Sequence, residues 1–370
     1  MTPRDLRLRT IRGETVDRVP LELAGFEYPS LEAVAKIEDP LRREIAERVF
    51  AHSVVRRNHP SHTNRYLMIP PQRMRNERKP LPGGEWETTQ YLDTPDGALT
   101  AIVHSDRKAQ TSWNVTYPVE TREGLRSIAA VPWERPPGLS APDRDTLPAD
   151  PDGRFLLSTS VSSPFVCVAG VMPYQMFLGL CATDLPWMEE LTELCLERTL
   201  DCLDVLLQKP GIEYVWVGGS EWVTPPMASP QVYDALVQDQ ERRLIAFIKQ
   251  RSEAVVHLHC HGRVRETILK VIERGADYLE PVEPPPDGDV TMAEAKALAA
   301  ERLTLGGNLE SRLMCYGTEA EVERATRAAF EGGKARFILR PTEGPSPTLS
   351  EREYRNWTRI IDVWEELSPM

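Results

Sequence analysis

The chain has 370 residues, 41% of them hydrophobic, and a formal net charge of −12. This length and apolar content allow a large buried core, while the acidic balance argues against a nucleic-acid interface or an anionic membrane surface as partner. No apolar run approaches the roughly 20 residues that span a bilayer, and the first ten residues are too charged for a secretory signal. The expected compartment is therefore the cytoplasm, where six scattered cysteines, none in a Cys-x-x-Cys pair, would be reduced thiols.

A helix is expected over residues 5–12, ended by Gly13, and a short strand over 19–23. Residues 30–55 read as one or two helices interrupted at Pro40. Residues 58–86 are polar and rich in Pro, Arg and Met, the composition of a long lid loop, with Arg65, Tyr66, Met68, Trp86 and, farther on, Trp113 as candidate substrate lining. Segments 90–94 and 98–104 flank Pro95-Asp96-Gly97, a β-hairpin signal, and the proline-rich stretch 131–153 reads as a surface loop.

From residue 155 the pattern becomes regular. Apolar strand candidates at 155–161, 212–217, 254–260, 276–282, 302–309 and 335–339 alternate with helical stretches at 184–208, 229–251, 263–274, 291–301 and 318–331. Continuous apolar strands separated by helices indicate a parallel sheet covered by helices. With 19–23 and 65–69 the strands number eight, so the expected fold is a single α/β domain over residues 1–370, a (β/α)8 TIM barrel with an N-terminal helical extension, lid and hairpin insertion. An open doubly wound sheet is the rival, but no Gly-x-Gly-x-x-Gly follows any strand.

Barrel enzymes carry their chemistry at the carboxyl ends of the strands. Here those ends hold Glu221 and Trp222, then His259 and His261, then Glu280 and Glu283, then Asn308, then Glu343. In Val255-Val256-His257-Leu258-His259-Cys260-His261, alternation puts the three histidines on one face and Leu258 and Cys260 on the other. His257 lies deepest and reads as a core histidine. His259 and His261, about 7 Å apart along a strand, could converge on one metal ion. Glu283 and Glu343 are the candidate carboxylate ligands, for Zn²⁺ first and Fe²⁺ or Mn²⁺ otherwise. Glu221 is a candidate metal ligand, general acid/base or substrate hydrogen-bond partner, and a carboxylate at a desolvating barrel mouth suits acid/base work. Trp222 and Asn308 are candidate substrate contacts.

Arg9-x-x-Arg12-Gly-Glu-x-Val-Asp-Arg-Val-Pro20, His259-x-His261-Gly262, Gly275-Ala-Asp-Tyr-Leu279, Gly307-Asn308-Leu309 and Gly317-Thr-Glu-Ala-Glu-Val322 together resemble the uroporphyrinogen decarboxylase superfamily, in order and through most of residues 5–365. The resemblance implies a barrel, and its members include a haem-pathway decarboxylase and a group of methyltransferases. Where the decarboxylase has Arg-Gln-Ala-Gly-Arg, this chain reads Glu22-Leu23-Ala24-Gly25-Phe26. Glu22 and Phe26 thus stand at substrate-binding positions, and Glu22 would repel an acidic porphyrinogen. The methyltransferase branch is similar at the metal: its His-x-Cys zinc motif maps onto His259 and His261, the glutamate of the related cobalamin-independent methionine synthase onto Glu283, and the last cysteine near Thr342 and Glu343. Both thiolates are replaced, which implies a harder, more Lewis-acidic ion.

The leading expectation is a metal-dependent methyltransferase or demethylase that moves a methyl group from a small compound to a corrinoid on a separate protein, because the chain has no Asp-x-His-x-x-Gly corrinoid motif. A metal-assisted decarboxylase or lyase of a small acid is the alternative, and a non-enzymatic barrel module the last. The resemblance also implies a homodimer.

Overall fold

A computed structural model describes residues 1–106, 111–143, 147 and 149–370. Residues 144–146 and 148 of the expected proline-rich loop lie outside them. The strands are β1 (Val55–His59), β2 (Met74–Pro80), β3 (Glu85–Thr94), β4 (Gly97–Asp106), β5 (Thr111–Thr116), β6 (Phe155–Ser162), β7 (Tyr214–Gly218), β8 (Val255–His259), β9 (Tyr278–Val282), β10 (Thr304–Leu309) and β11 (Phe337–Pro341). Seven form a curled parallel sheet in the order β1-β6-β7-β8-β9-β10-β11, and β2-β3-β4-β5 form a separate antiparallel sheet.

The α/β alternation after residue 155 is as expected. Helices Leu185–Leu206, Asp239–Arg251, Thr267–Arg274, Met292–Ala299 and Glu319–Ala329 follow their strands. Val215, Val217, Val256, Leu258 and Leu279 are buried in the same core as Leu203, Leu244 and Ile268 from those helices. Each fully buried Leu or Val contributes about 1.5–3 kcal/mol. Under this layer Arg274 and Glu241 form an ion pair at 2.5 Å, both 1% exposed, and Glu241 also accepts from the Ser163 hydroxyl at 2.6 Å.

Three expectations are corrected. Residues 65–69 are a turn, not a strand: Leu67 and Met68 have φ of 48° and 54° and are fully buried. The strand in that region is β1, within the stretch read as helix end and lid. Its sequence, Val-Arg-Arg-Asn-His, has no apolar alternation, because it pairs with β6 beside a polar cavity, and Arg57 lies over the Phe155 ring at 3.4 Å. The span 58–86 is therefore no free lid, since it also contains β2, which extends the hairpin β3–β4. Residues 19–23 supply one bridge rather than a full strand. Leu21 pairs in parallel with Leu339, with Glu22 N–H donating to Leu339 O at 2.9 Å.

The pairing described for the parallel sheet thus runs from β1 to Leu21 and does not show eight closed strands. Across the remaining edge the buried Arg154 donates to Tyr28 O at 2.9 Å and to Ser53 Oγ at 2.7 Å, tying the two sides together. The N-terminal helix Pro3–Arg12, capped by Thr2 and by Gly13 at φ 74°, sits under the sheet, where Thr304 Oγ1 donates to Thr10 O at 3.2 Å. No helix among the described residues is long and apolar enough to cross a membrane.

Candidate functional site

Register assembles the site. In the parallel pairing His259 stands beside Gly218 of β7 and Glu280 of β9, and His257 beside Trp216 and Tyr278. Neighbours in register share a face, so His257, His259 and Glu280 point together. Glu280 Oε2 lies 2.8 Å from His259 Nδ1 and 3.1 Å from His257 Nε2. Glu280 Oε1 lies 2.7 Å from Arg340 Nη1 on β11, Arg340 reaches Glu22 at 3.2 Å, and Glu22 reaches Arg7 of the N-terminal helix at 2.5 Å. Tyr214 Oη and His257 Nδ1 share a hydrogen bond of 2.5 Å.

Two arginines and two carboxylates leave this buried chain electrically balanced, so the buried His257 imidazole can stay neutral. Burial pushes the His257 pKa down to about 4, against the pull of Glu280. Burial opposes charge on Glu280 too, but Arg340 and the imidazoles hold it well below the usual carboxylate range. Burial likewise opposes charge on Glu22, yet Arg7 and Arg340 lower its pKa to about 2. A depressed carboxylate contributes stability that is complete above its unfolded value and lost as the pH falls through the folded one. Glu22→Gln is therefore expected to cost about 3 kcal/mol at pH 7. The difference from wild type should fade between pH 4.5 and about 2 in urea titrations, and a pH-independent difference would contradict the pairing.

Among the described residues, His257, His259 and Glu280 are the group whose ligand-type atoms lie within 4.8 Å of one another. His257 Nε2 and Glu280 Oε1 are buried at ion-pair distances from their neighbours but lack hydrogen-bond alignment. Unsatisfied buried polar atoms on a His/His/carboxylate set fit a divalent cation.

His261 lies past the end of β8. Its Nδ1 is 3.0 Å from Glu283 Oε1, and Gly262 N–H donates to Glu283 Oε2 at 2.5 Å. Burial opposes charge on His261, but Glu283 outweighs it and raises the pKa. The His259 and His261 rings stand edge to face at 4.7 Å. The structure thus groups His259 with His257 and Glu280, and His261 with Glu283. Glu343 is exposed in a separate groove with Cys315 and Glu353, and it is not brought to the histidines.

Two cavities lie beside these rings, one lined by His259 and the other by His261. One, of about 490 Å³, is polar and lined by Glu22, Arg56, Asn58, His257, His259, Glu280 and Arg340. The other, of about 650 Å³, is mainly apolar and lined by Tyr117, Met172, Tyr174, Glu221, Trp222, His261 and Glu283. Glu221 and Trp222 are therefore at the site. Phe26 is buried against Trp357, at 5.2 Å, and Asn308 lines neither cavity. Of the other suggested lining residues, Arg65 lies 5.5 Å from the Trp222 ring, whereas Met68 is core and Trp113 is exposed on β5. Glu280 and Arg340 were missed as site residues. Each is a charged residue in an apolar strand, a breach of pattern that marks a site without saying which.

Gly218 makes room for this arrangement. A Cβ there would lie 2.1 Å from the Trp216 ring, which packs at 5.2 Å against His259. Gly218→Ala is expected to destabilise the fold by about 1–3 kcal/mol through overpacking. An unchanged urea midpoint would refute that.

The fold is α/β, with the candidate site at the carboxyl ends of parallel strands. The chain belongs to the uroporphyrinogen decarboxylase (URO-D) family, whose model matches residues 147–363. No curated protein matches it. Among solved structures it is similar to a methyltransferase from Methanosarcina mazei, at 14% identity over 99% of both chains with a TM-score of 0.59. It also aligns with a B12-independent methionine synthase from Shewanella sp. W3-18-1, at 12% identity over 95% of this chain and 96% of that one, with a TM-score of 0.41.

Proposed function

We propose that this barrel-like protein is a methyltransferase or demethylase. It binds a small methylated compound in the apolar cavity and passes the methyl group to an acceptor at the mouth, a corrinoid on a separate protein. The observation that carries this reading is an apolar, aromatic cavity beside a charged one, lined by the neighbouring His261 and His259 rings. The apolar side suits a methylated donor, and the open mouth suits a large acceptor. In the transfer, the heteroatom–methyl bond breaks with its electron pair left on the heteroatom, and the acceptor's lone pair forms the new bond.

His257, His259 and Glu280 would hold a divalent ion, zinc as first choice, which when bound supplies Lewis acidity. Tyr214 shares a hydrogen bond with His257 Nδ1; in the tautomer where Nδ1 donates to Tyr214 Oη, Nε2 keeps its lone pair for the ion. Arg340 orients Glu280. Glu221 places a carboxylate on the donor cavity.

Porphyrinogen decarboxylation fits poorly, because Arg7 and Arg340 are already matched by Glu22 and Glu280. Decarboxylation or lysis of a smaller acid is the second reading, favoured by Arg56 on the polar wall. The two separate by product. Purified protein incubated with methylated donors and cob(I)alamin should form methylcobalamin, followed by its absorbance, and His259→Ala should not. Carbon dioxide release from small acids without methyl transfer would replace the first reading by the second.

A further inference from the structure

We propose that the apolar cavity is a binding site for a quaternary N-methylated ammonium cation. The assignment rests on the methyl-transfer reading and names its donor class. Three half-buried rings, Tyr117, Tyr174 and Trp222, line a space of about 650 Å³. Tyr174 holds Trp222 in place: its hydroxyl donates to the Trp222 carbonyl, and the two rings stand perpendicular at 6.3 Å. Trp222 already has one cation beside it, the Arg65 guanidinium at 5.5 Å. Aromatic faces attract cations through their quadrupole, most strongly where water is excluded.

The charge balance points the same way. Glu283 is matched by His261 and the Gly262 N–H, and Asp287 by Arg312 at 2.6 Å. Glu221 has no hydrogen-bond or ion-pair partner among the described residues, and its Oε2 is buried without one. Besides His261, the basic side chain on the wall is Arg263, exposed at the rim, where water screens it. The cavity therefore carries one carboxylate, Glu221, that no ion pair or hydrogen bond among the described residues satisfies.

A primary ammonium would bring three N–H donors and need three acceptors. The walls, with Met172, Met227 and three prolines among them, are mainly apolar, and the acceptors Glu283 and Asp287 are already paired. A fully methylated ammonium brings a positive charge and no N–H, so aromatic faces and a single carboxylate satisfy it. As a methyl donor it would leave as a neutral amine that keeps the bonding pair and needs no proton. Glu221 then acts as counter-charge, not as acid.

The test is binding to the whole purified protein, read by calorimetry and tryptophan fluorescence. The probes are choline and 3,3-dimethylbutan-1-ol, which has the same shape with carbon in place of nitrogen. Choline should bind about tenfold or more tightly than the alcohol. Glu221→Gln and Trp222→Leu, each checked for a wild-type melting curve, should each weaken choline by about tenfold and leave the alcohol little changed. Equal affinity for the two probes, or choline binding that survives both substitutions, overturns the assignment. No turnover is needed, so failure here leaves methyl transfer from another donor standing. Conversely, intact choline binding without any methyl transfer would defeat only the catalytic reading.

Discussion

Replacing Arg274 by methionine is expected to cost about 3–5 kcal/mol, the penalty for leaving a buried charge unpaired. Arg274 and Glu241 are both 1% exposed, and Arg274 supplies the only ion-pair partner of Glu241 among the described residues. The Ser163 hydroxyl cannot balance a full charge alone. The double replacement, Arg274→Met with Glu241→Met, should recover much of the loss, because two apolar chains of similar volume need no partners. The single variant should also show a pH signature. Burial already raises the Glu241 pKa against the pull of Arg274. Without the guanidinium it rises further, so folding takes up a proton and the deficit shrinks as the pH falls toward the unfolded carboxylate value. Urea unfolding at pH 8 and pH 5 measures this. A deficit under about 1 kcal/mol, or one that grows at pH 5, would show that the pair does not carry the region.

The second large effect is expected at His259. If His257, His259 and Glu280 hold an ion, adding zinc at 100 times its dissociation constant should stabilise the protein by about 2.7 kcal/mol. His259→Ala should lose that stabilisation and bind zinc at least about 10–100-fold more weakly, the range seen even for outer-shell changes. His261→Ala separates the structural grouping from the one expected along the chain. His261 pairs with Glu283 and lies outside the cluster of ligand atoms, so its loss should leave zinc binding within a few-fold of wild type. Metal analysis after dialysis, with thermal unfolding, reads both variants. If His261→Ala released the metal and His257→Ala did not, the ion would belong to His259 and His261.

The difference between these groupings comes from register. Alternation along β8 correctly puts His257 and His259 on one face, with Leu258 and Cys260 buried on the other. It could not say that His259 stands opposite Glu280, because that pairing joins residues 21 positions apart across two strands. Nor could it say that the strand stops at His259, which releases His261 toward Glu283 and the second cavity. Glu22 was legible only as a poor match to an acidic substrate. Its actual partners, Arg7 and Arg340, come from the first helix and the last strand of the sheet. β1 escaped notice because it lacks apolar alternation: its polar side chains face the charged cavity, and Arg57 lies over a ring.

By itself the sequence determined the α/β class, the helices and strands after residue 155, and the strand ends that bear polar groups. These follow from local periodicity, since a helix-covered parallel strand must be apolar on both faces. Only the tertiary structure decided which histidine meets which carboxylate, how far the sheet extends at its edges, and that the neighbouring His259 and His261 line two cavities of opposite character. Those are set by cross-strand register and by charges brought together from distant parts of the chain, and a one-dimensional pattern carries neither.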